Sequence, residues 1–415
     1  MGKLPNWLGE LKNLRALYLS NNEFEGPIPA SLGTLQHLES LDLGLNEMNG
    51  SIPDSIGQLS QLEQLDVSSN HLSGSLQIVN DLDMGSCHLG PSFPAWLQSQ
   101  KNLQNLGFSN CSISSPIPNW FWNISFNLQR LNLSDNQLQG AIPSNIGESL
   151  PSLHFLSLSG LEVLDLSYNK LLGEVPAWIG AAFVNLVILN LRSNVFCGRL
   201  PSQLSNLSSL HVLDIAQNNL MGKIPITLVE LKAMAQEQLI IYGLNVTAGS
   251  LYEERLVVIA KGQSLEYTKT LSLVVGIDLS DNNLSGEFPQ EITKLFGLVF
   301  LNLSRNHITG QIPESISMLR QLSSLDLSSN KLSGTIPSSM ASLSFLSYLN
   351  LSNNNFYGEI PFIGQMATFT ELAFVGNPDL CGAPLAINAR MKIQIKGKVL
   401  LVTKMMVAIL INGFT

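Results

Sequence analysis

Residues 322–337 read LSSLDLSSNKLSGTIP, and the phrase returns as LRALYLSNNEFEGPIP at 14–29 and LSYLNLSNNNFYGEIP at 346–361. Alternating Leu-x-Leu predicts a short strand with one buried face, because successive strand side chains point to opposite sides. The Asn that follows turns inward as the chain leaves the strand, and an inward amide must be satisfied. Its two donors and its acceptor reach backbone groups of its own coil and of the next, which makes a hydrogen-bonded ladder. Gly and then Ile-Pro supply a turn and an extended, donor-poor segment on the opposite, convex side.

The ladder column is Asn22, Asn46, Asn70, Cys87, Cys111, Asn136, Asn169, Asn194, Asn218, Asn282, Asn306, Asn330 and Asn354, and its rungs mostly follow one another at a constant step, as from Asn282 to Asn306 to Asn330. That step is about 24 residues, and self-similarity at such a period marks a leucine-rich repeat array. The expected fold class is therefore an α/β solenoid of about 13 to 14 coils with one non-repeat island. A solenoid buries its apolar face coil by coil, so 415 residues are no argument for several globular cores.

Three steps break the period. The step from Asn70 to Cys87 is about seven residues short of a coil, and that from Asn136 to Asn169 is about fifteen short of two coils, with the abrupt join LSLSG-LEVLDLSYN inside it. Loss of half a perimeter uncovers neighbouring apolar faces, so both are read as internal deletions. The step from Asn218 to Asn282 exceeds one coil by about 40 residues, and the surplus AMAQEQLIIYGLNVTAGSLYEERLVVIAKGQSLEYTKT lacks the repeat phrase. The expected organisation is repeats over 1–231, an island over 232–271, four repeats over 272–361, a cap over 362–386 and an aberrant tail over 387–415. The opening MGKLPNWLGELKNLRAL already lies in a convex half-repeat, without a charged-then-apolar leader or a capping segment, which reads as an amino-terminal truncation.

Charged residues are 13% of the chain and the net charge is −9, which excludes the basic footprint of a nucleic-acid binder. The six His (37, 71, 88, 154, 211 and 307) occupy unrelated repeat positions and read as surface, and the four Cys lack the paired spacing of a zinc site. No cofactor is expected. Kinase, nucleophile-elbow and phosphate-loop motifs are missing from the inventory, as is a clustered acid–base pair outside the repeat register, so an enzyme is not expected.

The consensus LxxLxxLxLSxNxLxGxIP, the island four coils before the end, YEERLVVIAKGQSLEYTKTL leading into VVGIDLSDNNLSGEFP, and the cap GNPDLCGAPL together resemble plant receptor-like proteins of the Cf-type disease-resistance class. The resemblance implies a leucine-rich repeat superhelix of the plant extracellular type at the plasma membrane, facing outwards. It also implies perception of an extracellular peptide, protein or other ligand, often microbial, with signalling through a partner receptor kinase in defence. Within the island, Tyr252, Lys261 and Gly262 match the family's tyrosine and Lys-Gly positions, and with Glu253, Glu254 and Arg255 they are candidate contacts for ligand or co-receptor. Two alternatives stay open: a secreted inhibitor similar to polygalacturonase-inhibiting proteins, against which the island counts, and a non-functional truncated gene product.

The residue between the strand leucines faces the concave side, giving the column Tyr18, Asp42, Asp66, Asp83, Gly107, Asn132, Asp165, Asn190, Asp214, Asp278, Asn302, Asp326 and Asn350. Stacked Asp repel unless neighbours bond to them, so the expected role is Asp bonded to Ser of adjacent strands, with a ligand-binding stripe as the functional reading. Asp278, Asn302 and Arg305 are candidates there, and Tyr18, Arg130, His154, Arg192 and Arg305 are the irregular residues. Cys87 and Cys111 are expected as free buried ladder thiols, a disulfide being the alternative at about one strand spacing. Cys381 sits where the family pairs it with a second Cys that this chain lacks. Candidate glycosylation sites are Asn110, Asn123, Asn132, Asn206, Asn245, Asn283, Asn302 and Asn350.

The tail INARMKIQIKGKVLLVTKMMVAILINGFT has apolar runs too short for a membrane span, with Lys404 inside them. Read two bases later, Met391-Lys392 must encode Glu, Met405-Met406 Asp and Met406-Val407 Gly, and synonymous codons elsewhere permit a Cys, an acidic linker and an aromatic-basic start. A frameshift near Ala386 is the expectation for this tail.

Overall fold

The structure, a computed structural model, describes residues 2–74, 79–100, 102–124, 128–144, 160–237, 256–260, 263–267, 274–385, 390–395 and 398–403, the side chains of 123, 124, 256–267 and 390–403 excepted. The chain forms two compact units, Met1–Leu210 with Gly249–Leu251, and His211–Ala248 with Tyr252–Thr415.

In the first unit the strands Ala16–Tyr18, Ser40–Asp42, Gln64–Asp66, Asp81–Asp83, Asn105–Gly107, Arg130–Asn132, Val163–Asp165 and Ile188–Asn190 pair in chain order, all parallel and in register. Each central Leu points inward, and from Leu41 to Leu189 these residues are essentially fully buried. The convex return runs through single 3-10 turns that start after proline, such as Ala30–Thr34 after Pro29 and Ser202–Asn206 after Pro201. Proline fits there because its fixed φ suits the extended lead-in and its missing N–H leaves no donor unpaired. Between strand and return, a second set of parallel strands pairs from coil to coil, as Lys170–Glu174 does with Val195–Arg199. Gly173 turns that segment at a φ of 89°, which a side chain would disfavour.

The irregular steps resolve into single coils on the inner face. Asp66 pairs with Asp83 across the short step, and the shortened coil is closed by Gln100, whose Oε1 accepts the buried Val79 N–H at 3.2 Å. The neighbouring Ile56, Leu59, Phe93 and Leu97 all stay buried, so this loss of perimeter uncovers nothing at those positions. The step from Asn136 to Asn169 differs from expectation. Asn132 pairs directly with Asp165, and Asn169 donates to Leu133 O at 2.9 Å, so Asn136 and Asn169 are consecutive rungs. It is one coil with extra residues rather than two coils with a part missing. Rings fill the convex side around it. Phe93, Phe121, Trp122, Trp178 and Phe183 form an edge-to-face series with centroids 5.0, 5.9, 6.0 and 5.4 Å apart, and such pairs add about 0.5–1.5 kcal/mol each beyond their buried area.

In the second unit Val212–Asp214 pairs directly with Gly276–Asp278, followed by Phe300–Asn302, Ser324–Asp326 and Tyr348–Asn350. The island is thus a whole excursion from one coil. Leu231 and Met234 are still buried in that coil, and Met234 O accepts from Gly297 N at 2.9 Å. The coil therefore runs past Lys232 to Met234 and resumes at Val274, just ahead of the buried strand residue Ile277. Within the excursion, Leu256–Ala260 and Gln263–Tyr267 form an antiparallel hairpin. A second hairpin, Arg390–Ile395 with Lys398–Thr403, lies in the tail.

The cap continues the ladder. Asn377 donates to Leu351 O at 3.0 Å and Phe374 O at 2.9 Å and accepts from Phe356 N at 3.0 Å, while Asp379–Cys381 extends the outer strand set beside Asn355–Glu359.

Candidate recognition face

Each rung fixes the strand in front of it. Asn306 donates through Nδ2 to Leu279 O of the preceding coil at 2.9 Å and to Leu303 O and Ser304 O of its own coil at 3.2 Å. Its Oδ1 accepts Leu284 N at 2.9 Å. The same donor set recurs at Asn46, Asn70, Asn169 and Asn354. Asn22, at the first rung, bonds Leu19 O and Ser20 O of its own coil. Cys87 and Cys111 hold ladder positions as free thiols: Cys87 Sγ donates to Val67 O at 3.2 Å, and Cys111 Sγ to Met84 O at 3.1 Å. Burial pushes the Cys87 thiol up to about 11 and the Cys111 thiol up to about 12, so both keep the proton they donate.

The residue before each rung takes the left-handed conformation. Leu45, Tyr168 and Arg305 sit at φ values of 53°, 52° and 54°. The turn this makes sends the rung inward and pushes Arg305 out into solvent.

Strand pairing places Tyr18, Asp42, Asp66, Asp83, Gly107, Asn132, Asp165 and Asn190 in one outward column of the first unit. Asp214, Asp278, Asn302, Asp326 and Asn350 form the corresponding column of the second. Their hydrogen bonds differ from the expected Asp-to-Ser pairing of adjacent strands, which Ser20 Oγ to Asp42 Oδ2 at 2.6 Å follows. Elsewhere the hydroxyl comes from the same coil, just beyond the strand, as in Ser167 to Asp165 and Ser328 to Asp326, both 2.6 Å. The second oxygen accepts from the next coil's amide: Asn190 to Asp165 at 3.1 Å, Asn302 to Asp278 at 3.2 Å and Asn350 to Asp326 at 3.3 Å. Alternation of Asp and Asn thus turns a repelling stack into pairs. Burial raises the Asp165 carboxyl above its usual range.

Of the candidates on this face, Asp278 is completely buried, Asn302 is half-buried and bonded to it, and Arg305 is exposed. Tyr18 is exposed, Arg192 is buried in a slot that most coils give to a small residue, and Arg130 stands 4.0 Å from Glu162. Tyr252, Glu253, Glu254, Arg255, Lys261, Gly262 and His154 lie outside the described residues, as do Asn245 and the side chain of Asn123. Among the other sequons, Asn110, Asn206 and Asn283 are exposed, Asn132 accepts from Ser134 N and Oγ, and Asn302 and Asn350 have their amides engaged. Among the described residues no helix is long and apolar enough to cross a membrane, and no three His, Cys, Asp or Glu are grouped to hold a metal ion.

Two models of the leucine rich repeat match this chain, one over 12–72 and 301–356, the other over 102–124, 127–149, 160–182, 185–207 and 274–295. Receptor-like protein EIX1 of Solanum lycopersicum is 42% identical over 84 residues, 20% of this chain and 8% of that protein. Receptor-like protein EIX2 of the same plant is 47% identical over 57 residues, 14% of this chain and 6% of that one. Receptor-like protein 18 of Arabidopsis thaliana is 29% identical over 264 residues, covering 48% and 32%. The chain therefore spans less than a tenth of the first two relatives and about a third of the third. Among solved structures, the Arabidopsis receptor kinase HAESA in complex with the peptide hormone IDA and the co-receptor SERK1 has a TM-score of 0.68 at 27% identity, over 97% of this chain and 62% of that one. A TDR receptor gives 0.67 at 29%, over 87% and 55%.

Proposed function

Because the chain belongs to the leucine-rich repeat receptor-like proteins of plants, we propose that it is the recognition part of a cell-surface receptor that takes an extracellular ligand on its concave sheet and reports through a partner receptor kinase in defence. The carrying observation is where the island leaves the array. It departs after Met234 and returns at Val274, immediately before the outward-facing strand Gly276–Asp278, so the excursion is rooted at the rim of the concave sheet. A long non-repeat insertion is functional more often than ornamental when the coils beside it stack without it. The candidates are then Tyr252, Glu253, Glu254, Arg255, Lys261 and Gly262 in the island and Asp278, Asn302 and Arg305 on the sheet. HAESA, solved in complex with a peptide hormone and a co-receptor, supports ligand and co-receptor binding in general by likeness of fold. The scaffold is non-catalytic, and Asn110, Asn206 and Asn283 are its accessible glycan carriers.

The test is association of the purified chain with the SERK1 ectodomain, measured by biolayer interferometry, against a variant whose residues 238–270 are replaced by a short Gly-Ser linker. Association at least tenfold weaker, with unchanged far-UV dichroism, is expected. Equal association would remove the island from the function.

A further inference from the structure

Two imidazoles meet on the outer strand set of the first unit. His71 follows the rung Asn70 and His88 follows the rung Cys87, so each stands one position past its rung on consecutive coils. The His88 N–H donates to Leu72 O at 3.1 Å, which ties the two segments together across the short step. Both side chains are exposed, and their ring centroids lie 6.3 Å apart with the planes tilted by 50°. His307 holds the same position past Asn306, but the residues one past the neighbouring rungs are Asn283 and Lys331, so no second imidazole stands beside it there.

The surroundings favour a cation. Asn49 stands directly opposite His71, and strand alternation puts Glu47 on the same exposed face, itself opposite the exposed Glu25 of the coil before. Negative charge therefore lies beside the imidazoles. Imidazole suits zinc, copper and nickel, whereas calcium and magnesium take oxygen donors. With metal–nitrogen bonds of about 2.0–2.1 Å, the centroids of two imidazoles on one ion lie roughly 5–6.5 Å apart, according to the angle at the metal. The 6.3 Å found here falls in that range, and exposed side chains can rotate to close on an ion.

We propose that His71 and His88 form a two-imidazole site for an exchangeable divalent transition-metal ion of the copper, nickel and zinc class. Two protein ligands leave the rest of the coordination sphere to water or to a donor brought by a partner. This is an open site rather than a closed structural one, in keeping with the absence, among the described residues, of three grouped His, Cys, Asp or Glu. It lies on the outer strand His71–Ser73, away from the concave column, so it does not rest on the recognition role assigned above.

The experiment uses the whole chain without an affinity tag, its accessible thiols blocked with iodoacetamide, titrated with nickel chloride in a calorimeter. Nickel should bind, and millimolar calcium should not displace it. His71→Asn and His88→Asn should each weaken binding at least tenfold, and the double variant should abolish it, while His307→Asn, at the same position without a neighbouring imidazole, binds as the native chain does. Copper chloride added to the native chain should give an electron paramagnetic resonance spectrum with coupling to two imidazole nitrogens, and to one in each single variant. Both positions are exposed, so the variants should keep the strands, which far-UV dichroism checks. Failure of the native chain to bind nickel, binding that survives in H71N/H88N, an equal loss in His307→Asn, or displacement by millimolar calcium would each overturn the proposal.

Discussion

Replacing Asn306 by alanine removes four hydrogen bonds from the interior of the second unit. Two matter most: Nδ2 to Leu279 O and Leu284 N to Oδ1, both 2.9 Å. Leu279 and Leu284 are completely buried, so water cannot replace either bond without opening the coil. A buried group left unpaired costs about 1–3 kcal/mol. Because the two losses share one relaxation, Asn306→Ala is expected to cost about 2–3 kcal/mol, or roughly 5–10 °C in the melting of a unit of this size. The chain contains its own intermediate case, since Cys87 and Cys111 fill the slot with a donor aimed at the preceding coil's carbonyl. Asn306→Cys should therefore cost about half as much. Asn283→Ala, at an exposed neighbouring position, should change stability by less than about 0.5 kcal/mol. Urea midpoints give the order, and hydrogen exchange at the Leu284 amide locates the effect. Equal midpoint shifts for Asn306→Ala and Asn283→Ala, or an unaltered Leu284 amide, would refute the load assigned to the ladder.

Two further outcomes follow from buried groups. Cys87 and Cys111, with thiols pushed up to about 11 and about 12, should resist alkylation in the folded chain while the half-exposed Cys197 reacts, as peptide mapping after iodoacetamide will show; early labelling of Cys87 or Cys111 argues against them as rungs. Burial raises the Asp165 carboxyl above its ordinary 3.8, so the folded state holds that proton more tightly, and the stability this contributes is full below that value and lost as pH rises through the raised one. Asp165→Asn removes the dependence and should gain on the native chain as pH rises from below 3.8 through the raised value; a urea-midpoint difference that stays constant with pH contradicts the assignment.

The rungs, the inward leucines and the outward column were legible because each is fixed by strand alternation and a period visible in the sequence. Asn377 was missed as a rung because the cap replaces Leu-x-Leu with AFVGN, although it stands close to one ordinary step after Asn354. The step from Asn136 to Asn169 was misread because residue count records perimeter, whereas pairing records neighbours, and only the pairing of Asn132 with Asp165 distinguishes one coil from two. Gln100 carried no repeat signal: its amide matters because a shortened coil brings Val79 N–H against it. Carboxylate partners were half legible. Spacing predicts which side chains share the column, but not whether a hydroxyl further along the same coil or an amide one strand away takes each oxygen.

The short step from Asn70 to Cys87, the longer one from Asn136 to Asn169 and the longest from Asn218 to Asn282 each advance the inner sheet by a single strand. The concave face is therefore a ruler graduated in rungs, and sequence length is spent elsewhere. Asp214 and Asp278 are strand neighbours just as Asn302 and Asp326 are, although the whole island lies between the first pair and one ordinary coil between the second. A partner reading this sheet meets the same strand spacing whatever the length of chain between two rungs. A coil can lengthen, shorten or give rise to an island while the spacing of the recognition residues stays the same.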